Sequence, residues 1–104
     1  MKIIIYQEIN PTFRVDSNKK LYKIGDYKEV YELDWNRYDL PKDENILESL
    51  FATFNQPPYP PSYRGHSMSV GDIVEIRDHK DFTKGSRKYI CDSFGWNKIE
   101  WVQD

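Results

Sequence analysis

The chain is poor in the residues that most small catalytic and metal-binding domains use. It has one cysteine, Cys91, and two histidines, His66 and His79, among 104 residues. One cysteine excludes an intrachain disulfide and any cysteine-cluster metal site. Two isolated histidines make no ligand set, so neither metal nor cofactor is expected. An excess of one charge is missing too. Fifteen Lys and Arg face seventeen Asp and Glu, leaving a formal charge of -2. That balance lacks the basic face that tight duplex-DNA binding needs, and the strong acidity of a DNA mimic. Long apolar runs are also absent. The run at Met1–Tyr6 stops at Gln7 and Glu8, too short for a signal segment or a membrane helix. The expectation is a soluble, cytoplasmic chain with no membrane partner.

Aromatic residues supply what the aliphatic ones lack: eight tyrosines, five phenylalanines and three tryptophans. Each buries about 150–250 Å² when enclosed, so a few of them dominate a small core and the rest reach the surface. The length suits one domain spanning residues 1–104.

Periodicity divides the chain into a few elements. Lys2–Tyr6 is β-branched and reads as a strand. Ile9–Leu21 is mostly turn and loop, and Leu21–Ile24 is a short strand candidate. Tyr27–Leu33 alternates, which puts Tyr27, Glu29, Tyr31 and Leu33 on one face, taken as the core side. Asp39–Asp43, with Pro41, breaks the pattern. A helix follows over Glu44–Phe54, with Asp43 as N-cap and Ile46, Leu47, Leu50, Phe51 and Phe54 as its buried stripe. Pro57-Pro58 ends it. Gln56–Tyr63 is expected to be extended and polyproline-like. Val70–Arg77 reads as a strand entered through a Gly71-Asp72 turn, and His79–Ser86 as a polar loop. Arg87–Asp92 and Lys98–Val102 read as a hairpin around Ser93–Asn97, with Gly95 supplying positive φ. The fold class is α+β: a bent, mainly antiparallel sheet of about five strands packed on one helix, with Val70–Val102 closing toward a small barrel.

Three separated segments carry a resemblance. They are Phe51-Ala52-Thr53-Phe54-Asn55, then Gly65-His66-Ser67-Met68-Ser69-Val70-Gly71-Asp72-Ile73-Val74, then Tyr89-Ile90-Cys91-Asp92-Ser93-Phe94-Gly95-Trp96. In this order, over roughly residues 20–101, the chain resembles the YodL-like domain. The resemblance implies a bacterial origin in a mobile genetic element: a conjugative transposon, a plasmid or a phage-like element. Relatives also occur as modules of very large proteins of such elements, which suits a portable interaction domain better than an enzyme.

The candidate site residues are Arg64, His66, Ser67 and Ser69 in one loop, and Asp92, Ser93, Phe94 and Trp96 at the hairpin. As neighbours they would make one binding patch, with Arg64 and His66 as donors and Phe94 and Trp96 as flat apolar area. Phe94 and Trp96 have an equal claim to plug the core. His66 and Ser67 are adjacent in an extended segment and point apart, so they make a poor base and nucleophile; tying the loop to backbone groups is the plainer role. Cys91 reads as a small buried hydrophobe, with a Cys91–His66 dyad as the catalytic alternative. Asp72 and Asp92 read as turn-formers rather than a hydrolytic pair. Pro60-Pro61-Ser62-Tyr63 matches a ligand pattern for aromatic grooves, but is read as a stiff connector. Lys80, Lys84, Arg87 and Lys88 give a mild basic bias near the last loop.

The functional expectation is a non-enzymatic accessory protein that binds another protein. No small-molecule substrate is expected. The first alternative is a nucleic-acid-binding accessory factor, and the second a small hydrolase using His66 with Cys91 or Asp92.

Overall fold

The structure, a computed structural model, describes residues 1–35, 42–77 and 86–102. Pro41, and all of the expected His79–Ser86 loop except Ser86, lie outside them, as do Lys80 and Lys84. The chain forms β1 (Lys2–Glu8), β2 (Leu21–Lys23), β3 (Tyr27–Asp34), α1 (Asp43–Thr53), β4 (Ile73–Arg77), β5 (Ser86–Asp92) and β6 (Gly95–Val102). All six strands join one sheet in the order β2-β6-β5-β4-β1-β3. Every neighbouring pair is antiparallel except β2–β6. The fold is a sheet-rich α+β arrangement of six strands rather than about five. Leu21–Lys23 is a true strand, and at three residues it is too short to show alternation.

The sheet is curled, and the chain path shows why. β2 and β3 are the two ends of the strand order, yet only the 3₁₀ turn Ile24–Asp26 separates them in sequence. A link that short brings the edges of the sheet toward each other. Aromatic side chains from four strands meet on the inner side: Tyr6 on Trp101 at 5.4 Å, Tyr27 on Trp101 at 5.5 Å and Tyr22 on Tyr27 at 6.4 Å between ring centroids. The curl is a half-barrel that draws in β1, β2 and β3 as well as the Val70–Val102 part.

Two cores result, one on each side of the sheet. The inner one holds Ile4, Tyr6, Tyr22, Ile73, Ile90 and Ile99. The outer one packs Ile3, Ile5, Val74 and Ile76 against Ile46, Leu47 and Leu50 of α1 and against Phe54, the residue that caps its end. β1 is apolar at successive residues because both of its faces are covered, so it runs continuous rather than alternating.

β3 departs from strict alternation. Its register with β1 shifts between Ile5↔Tyr31 and Tyr6↔Glu29, leaving Val30 as an extra, buried residue. A one-residue bulge moves the side chains on either side of it to opposite faces. Tyr31 and Leu33 therefore pack on the outer core and Tyr27 on the inner one. The four residues expected on one face are divided by the bulge.

α1 starts one residue earlier than expected. Asp43 is its first residue, and the N-cap Lys42 makes no side-chain cap. The Asp43 carboxylate is used elsewhere: it accepts from Arg87 Nε at 2.5 Å, Arg87 Nη2 at 3.0 Å and the Tyr89 hydroxyl at 2.6 Å. These bonds pin the helix start to β5 and hold the Asp43 pKa below its ordinary value despite partial burial. Of the expected stripe, Phe51 is 38 % exposed. At about 100° per residue it lies at the edge of the arc centred on Leu50, in line with Glu44 and Glu48.

Candidate functional site

The loop from Tyr63 to Asp72 is organised by one side chain of β1. Gln7 is fully buried. Its Oε1 accepts from the His66 backbone N–H at 3.1 Å. Its Nε2 faces the Tyr63 hydroxyl at 2.9 Å, the His66 carbonyl at 3.0 Å and Asp72 Oδ2 at 3.0 Å. The Tyr63 hydroxyl also donates to the His66 carbonyl. Gly65 makes the approach feasible, because a Cβ there would run into Gln7 Oε1 and stand 2.8 Å from Gln7 Cδ. Asp72 Oδ2 accepts the Ser69 backbone N–H at 2.9 Å.

The His66 ring has Nδ1 2.7 Å from the Ser67 carbonyl, an acceptor, so that nitrogen is assigned the hydrogen. Nε2 is then an acceptor in the neutral ring. It is buried, lacks a hydrogen-bond partner and lies 3.9 Å from Asp72 Oδ1. Two acceptors face each other unless a proton joins one of them. Burial, first, pushes the Asp72 pKa up to about 6; bonds from Ser69 and Gln7 and the nearby His66 oppose that rise.

A second feature lies between α1 and the β5–β6 hairpin. Lys42, Asp43, Glu44, Leu47, Glu48, Tyr89 and Trp96 line a cavity of about 500 Å³. A second cavity of about 250 Å³ lies beside Glu48, Phe51, Val70, Cys91, Asp92, Ser93, Gly95 and Trp96. They share Glu48 and Trp96, so together they form one groove. Glu44, Glu48 and Phe51 follow one another at i, i+4 and i+7 and make its helical wall. Tyr89, Cys91 and Trp96 make its floor, with Cys91 directly opposite Trp96 in the register.

The hairpin tip is a two-residue turn, Ser93-Phe94, with Gly95 at φ 135°. It is tighter than the expected Ser93–Asn97 loop. Asp92 organises it, as a turn-former should. Its Oδ1 accepts the Ser93 backbone N–H at 2.6 Å, and its Oδ2 accepts Ser17 Oγ at 2.7 Å and Asn97 Nδ2 at 2.8 Å. Phe94 is 101 % exposed, whereas Trp96 is half-buried against the outer core.

The structure ties the Arg64–His66 part of the expected patch to β3 and β1 rather than to the hairpin. The Arg64 backbone N–H bonds the Val30 carbonyl on β3, and His66 sits over Gln7 of β1. β5 lies three strands from β3, about 14 Å at the usual strand spacing. At the far end of the loop, the Gly71 N–H bonds the Cys91 carbonyl at 2.9 Å, the Cys91 N–H bonds the Asp72 carbonyl at 2.8 Å, and Val70 lines the smaller cavity. β4 begins at Ile73, after Gly71 at φ 100°, rather than at Val70. Ser69 Oγ donates to the Ser67 carbonyl, and Ser67 Oγ pairs with the Tyr59 hydroxyl at 2.7 Å.

Cys91 is 4 % exposed; burial first, then the charge of Asp72, raises its thiol pKa to about 11. Its hydrogen bond runs to the Asp92 carbonyl, and among the described residues none links it to His66. The Pro-Pro-Ser-Tyr segment turns back, with Tyr63 N–H on the Pro60 carbonyl at 3.0 Å. Its Tyr63 ring packs on Phe54 and Tyr31, so this tyrosine is part of the core. At the mouth of the half-barrel, the Lys19 ammonium lies 4.5 Å from the Tyr22 ring centroid.

Among the described residues, no group of three or more His, Cys, Asp or Glu is placed to hold a metal ion. No helix among them is long and apolar enough to cross a membrane. Sequence reasoning missed Gln7, Glu44, Glu48 and Tyr89, which carry the two features above.

One family model, described as the YodL-like domain, matches residues 1–101. The match takes in the amino-terminal segment as well as the three signatures. No curated protein and no solved structure matches the chain.

Proposed function

The chain belongs to the YodL-like domain family, and from that premise we propose a non-catalytic module that works by binding another protein. The surface assigned to this role is the groove between α1 and the β5–β6 hairpin, with Phe94 at its end. Phe94 carries the reading: it is fully exposed on a turn that Asp92 braces with three hydrogen bonds. A large apolar ring held in water on a fixed scaffold loses little freedom on binding and gains the area it buries. Phe51 and Trp96 flank the same cavity. The proposed setting is the cytoplasm of a bacterium carrying a mobile genetic element, and that part rests on the family resemblance alone.

The two alternatives have less behind them. Nucleic acid would meet Glu44, Glu48 and Asp92 along the groove, where a single strand calls for cations. A Cys91 nucleophile would need its thiol pKa lowered, and it is raised. The test is affinity capture of the tagged chain from its native host, read by mass spectrometry. Phe94→Ala is expected to lose the captured protein with no change in melting temperature. Identical capture by Phe94→Ala and the parent would remove the surface from consideration.

A further inference from the structure

We propose that the groove receives an extended basic segment of the partner protein, with one cationic side chain seated over Trp96 beside Glu44 and Glu48. This rests on the protein-binding reading and names the chemistry of the partner. The argument is charge complementarity around an aromatic floor.

Glu44 and Glu48 stand one helical turn apart on the wall and are exposed. Among the described residues, neither is in a hydrogen bond or an ion pair made by its side chain. The third carboxylate of that end, Asp43, is already engaged by Arg87 and Tyr89. Asp92 adds a fourth at the hairpin end, braced by its neighbours and with its pKa held down. Lys42 is the cation at one mouth, and Lys98 acts on Asp43 from β6. Of the two free carboxylates, Glu44 therefore lines the larger cavity and Glu48 stands where both cavities meet Trp96.

An Arg or Lys side chain suits this place in three ways. Its stem lies on Tyr89 and Trp96, its charge faces the indole ring, and its donors reach Glu44 or Glu48. The smaller cavity, with Phe51, Val70 and Cys91 among its lining residues, takes an apolar neighbour of that cation. An acidic segment or a phosphate chain would meet the same carboxylates with the wrong sign.

The full chain can be panned against a phage-displayed library of random dodecapeptides, in parallel with Glu44→Gln/Glu48→Gln and Phe94→Ala. All three substitutions are at exposed positions, and melting curves check that the variants fold. The expected result is enrichment of peptides that pair Arg or Lys with an apolar residue. A synthetic copy of the winner should bind about tenfold or more weaker to the double Gln variant, lose affinity as salt is raised, and shift the Trp96 indole resonance. Acidic or uncharged winners, no enrichment, or equal binding to the double Gln variant would overturn the proposal. So would an oligothymidylate that displaces the peptide by binding the same groove. Winners that need Phe94 but show no preference for a cation would sink the basic-segment assignment and leave the binding surface standing. Winners indifferent to Phe94 and to both glutamates would remove the surface itself.

Discussion

Replacing Asp72 with asparagine removes one charge from the Gln7–His66 node and keeps an oxygen for Ser69 and Gln7. The sign of the effect follows from the direction of the pKa change. Burial raises Asp72 from an aspartate's ordinary 3.8 to about 6, with Glu8 on β1 adding to the rise and His66 opposing it. The folded state therefore holds this proton more tightly than the unfolded chain does. Above about pH 6 the ionised carboxylate costs the fold about 3 kcal/mol; that cost fades as pH falls through 6 and is gone below about 4. An asparagine carries no such charge, and its amide can point a donor at His66 Nε2, which has no partner. Asp72→Asn is expected to be more stable than the parent by about 1–3 kcal/mol at pH 8, or some 4–8 °C per kcal/mol in melting temperature. The gap should narrow to about a third of that by pH 4.5. Urea unfolding from pH 4.5 to 8, followed by circular dichroism, measures both. The difference between the two curves isolates Asp72 from Glu75 and Asp43, whose lowered pKa values give them the opposite trend. Asp72→Ala removes both accepted bonds and should instead lose about 1–3 kcal/mol. A difference that stays flat from pH 4.5 to 8, or an asparagine variant weaker than the parent at pH 8, would refute the account.

Phe54→Ala should cost about 3–5 kcal/mol and Phe51→Ala less than about 1.5, although both lie on the apolar side of α1; urea midpoints of the two variants check this ordering. Gly65→Ala should destabilise by about 1–3 kcal/mol because its methyl meets Gln7, and a Gln7→Ala background should relieve most of that loss in a double-mutant cycle. The Cys91 thiol should react with a soluble thiol reagent at pH 8 at least about a hundredfold slower in the native state than in denaturant; equal rates would show an open thiol.

The helix and its end were legible from their period, the longer strands from alternation or, in β1, from an unbroken β-branched run, and the short β2 only as the candidate Leu21–Ile24. Phe54 and Leu50 fall where the 3.6-residue stripe puts them. Phe51 does not, because a stripe of five residues spans more arc than the sheet covers. The switch of face at Val30 left no mark, since a bulge adds a residue without altering the kinds of residue around it. Of the site, Asp92 and the glycine of the turn were readable from local turn chemistry. Gln7 was not: its partners lie 56 to 65 residues away in sequence, and nothing in a single strand announces a buried amide. The acidic wall was hidden because Glu44 and Glu48 look like ordinary solvent-facing helix residues until Trp96 is placed opposite them.

β1 has a consequence for how the molecule is made. It leaves the ribosome ahead of every other strand, yet it lies between β3 and β4 in the finished sheet. Its pairing with β3 can form once residue 34 has emerged, but its other edge must wait for Ile73–Arg77. Through that interval of synthesis, the most apolar strand of the chain keeps an unpaired edge and two uncovered faces. Such an edge invites pairing with the wrong chain. During translation, the risk of aggregation therefore lies in Ile3-Ile4-Ile5, and it ends when β4 arrives.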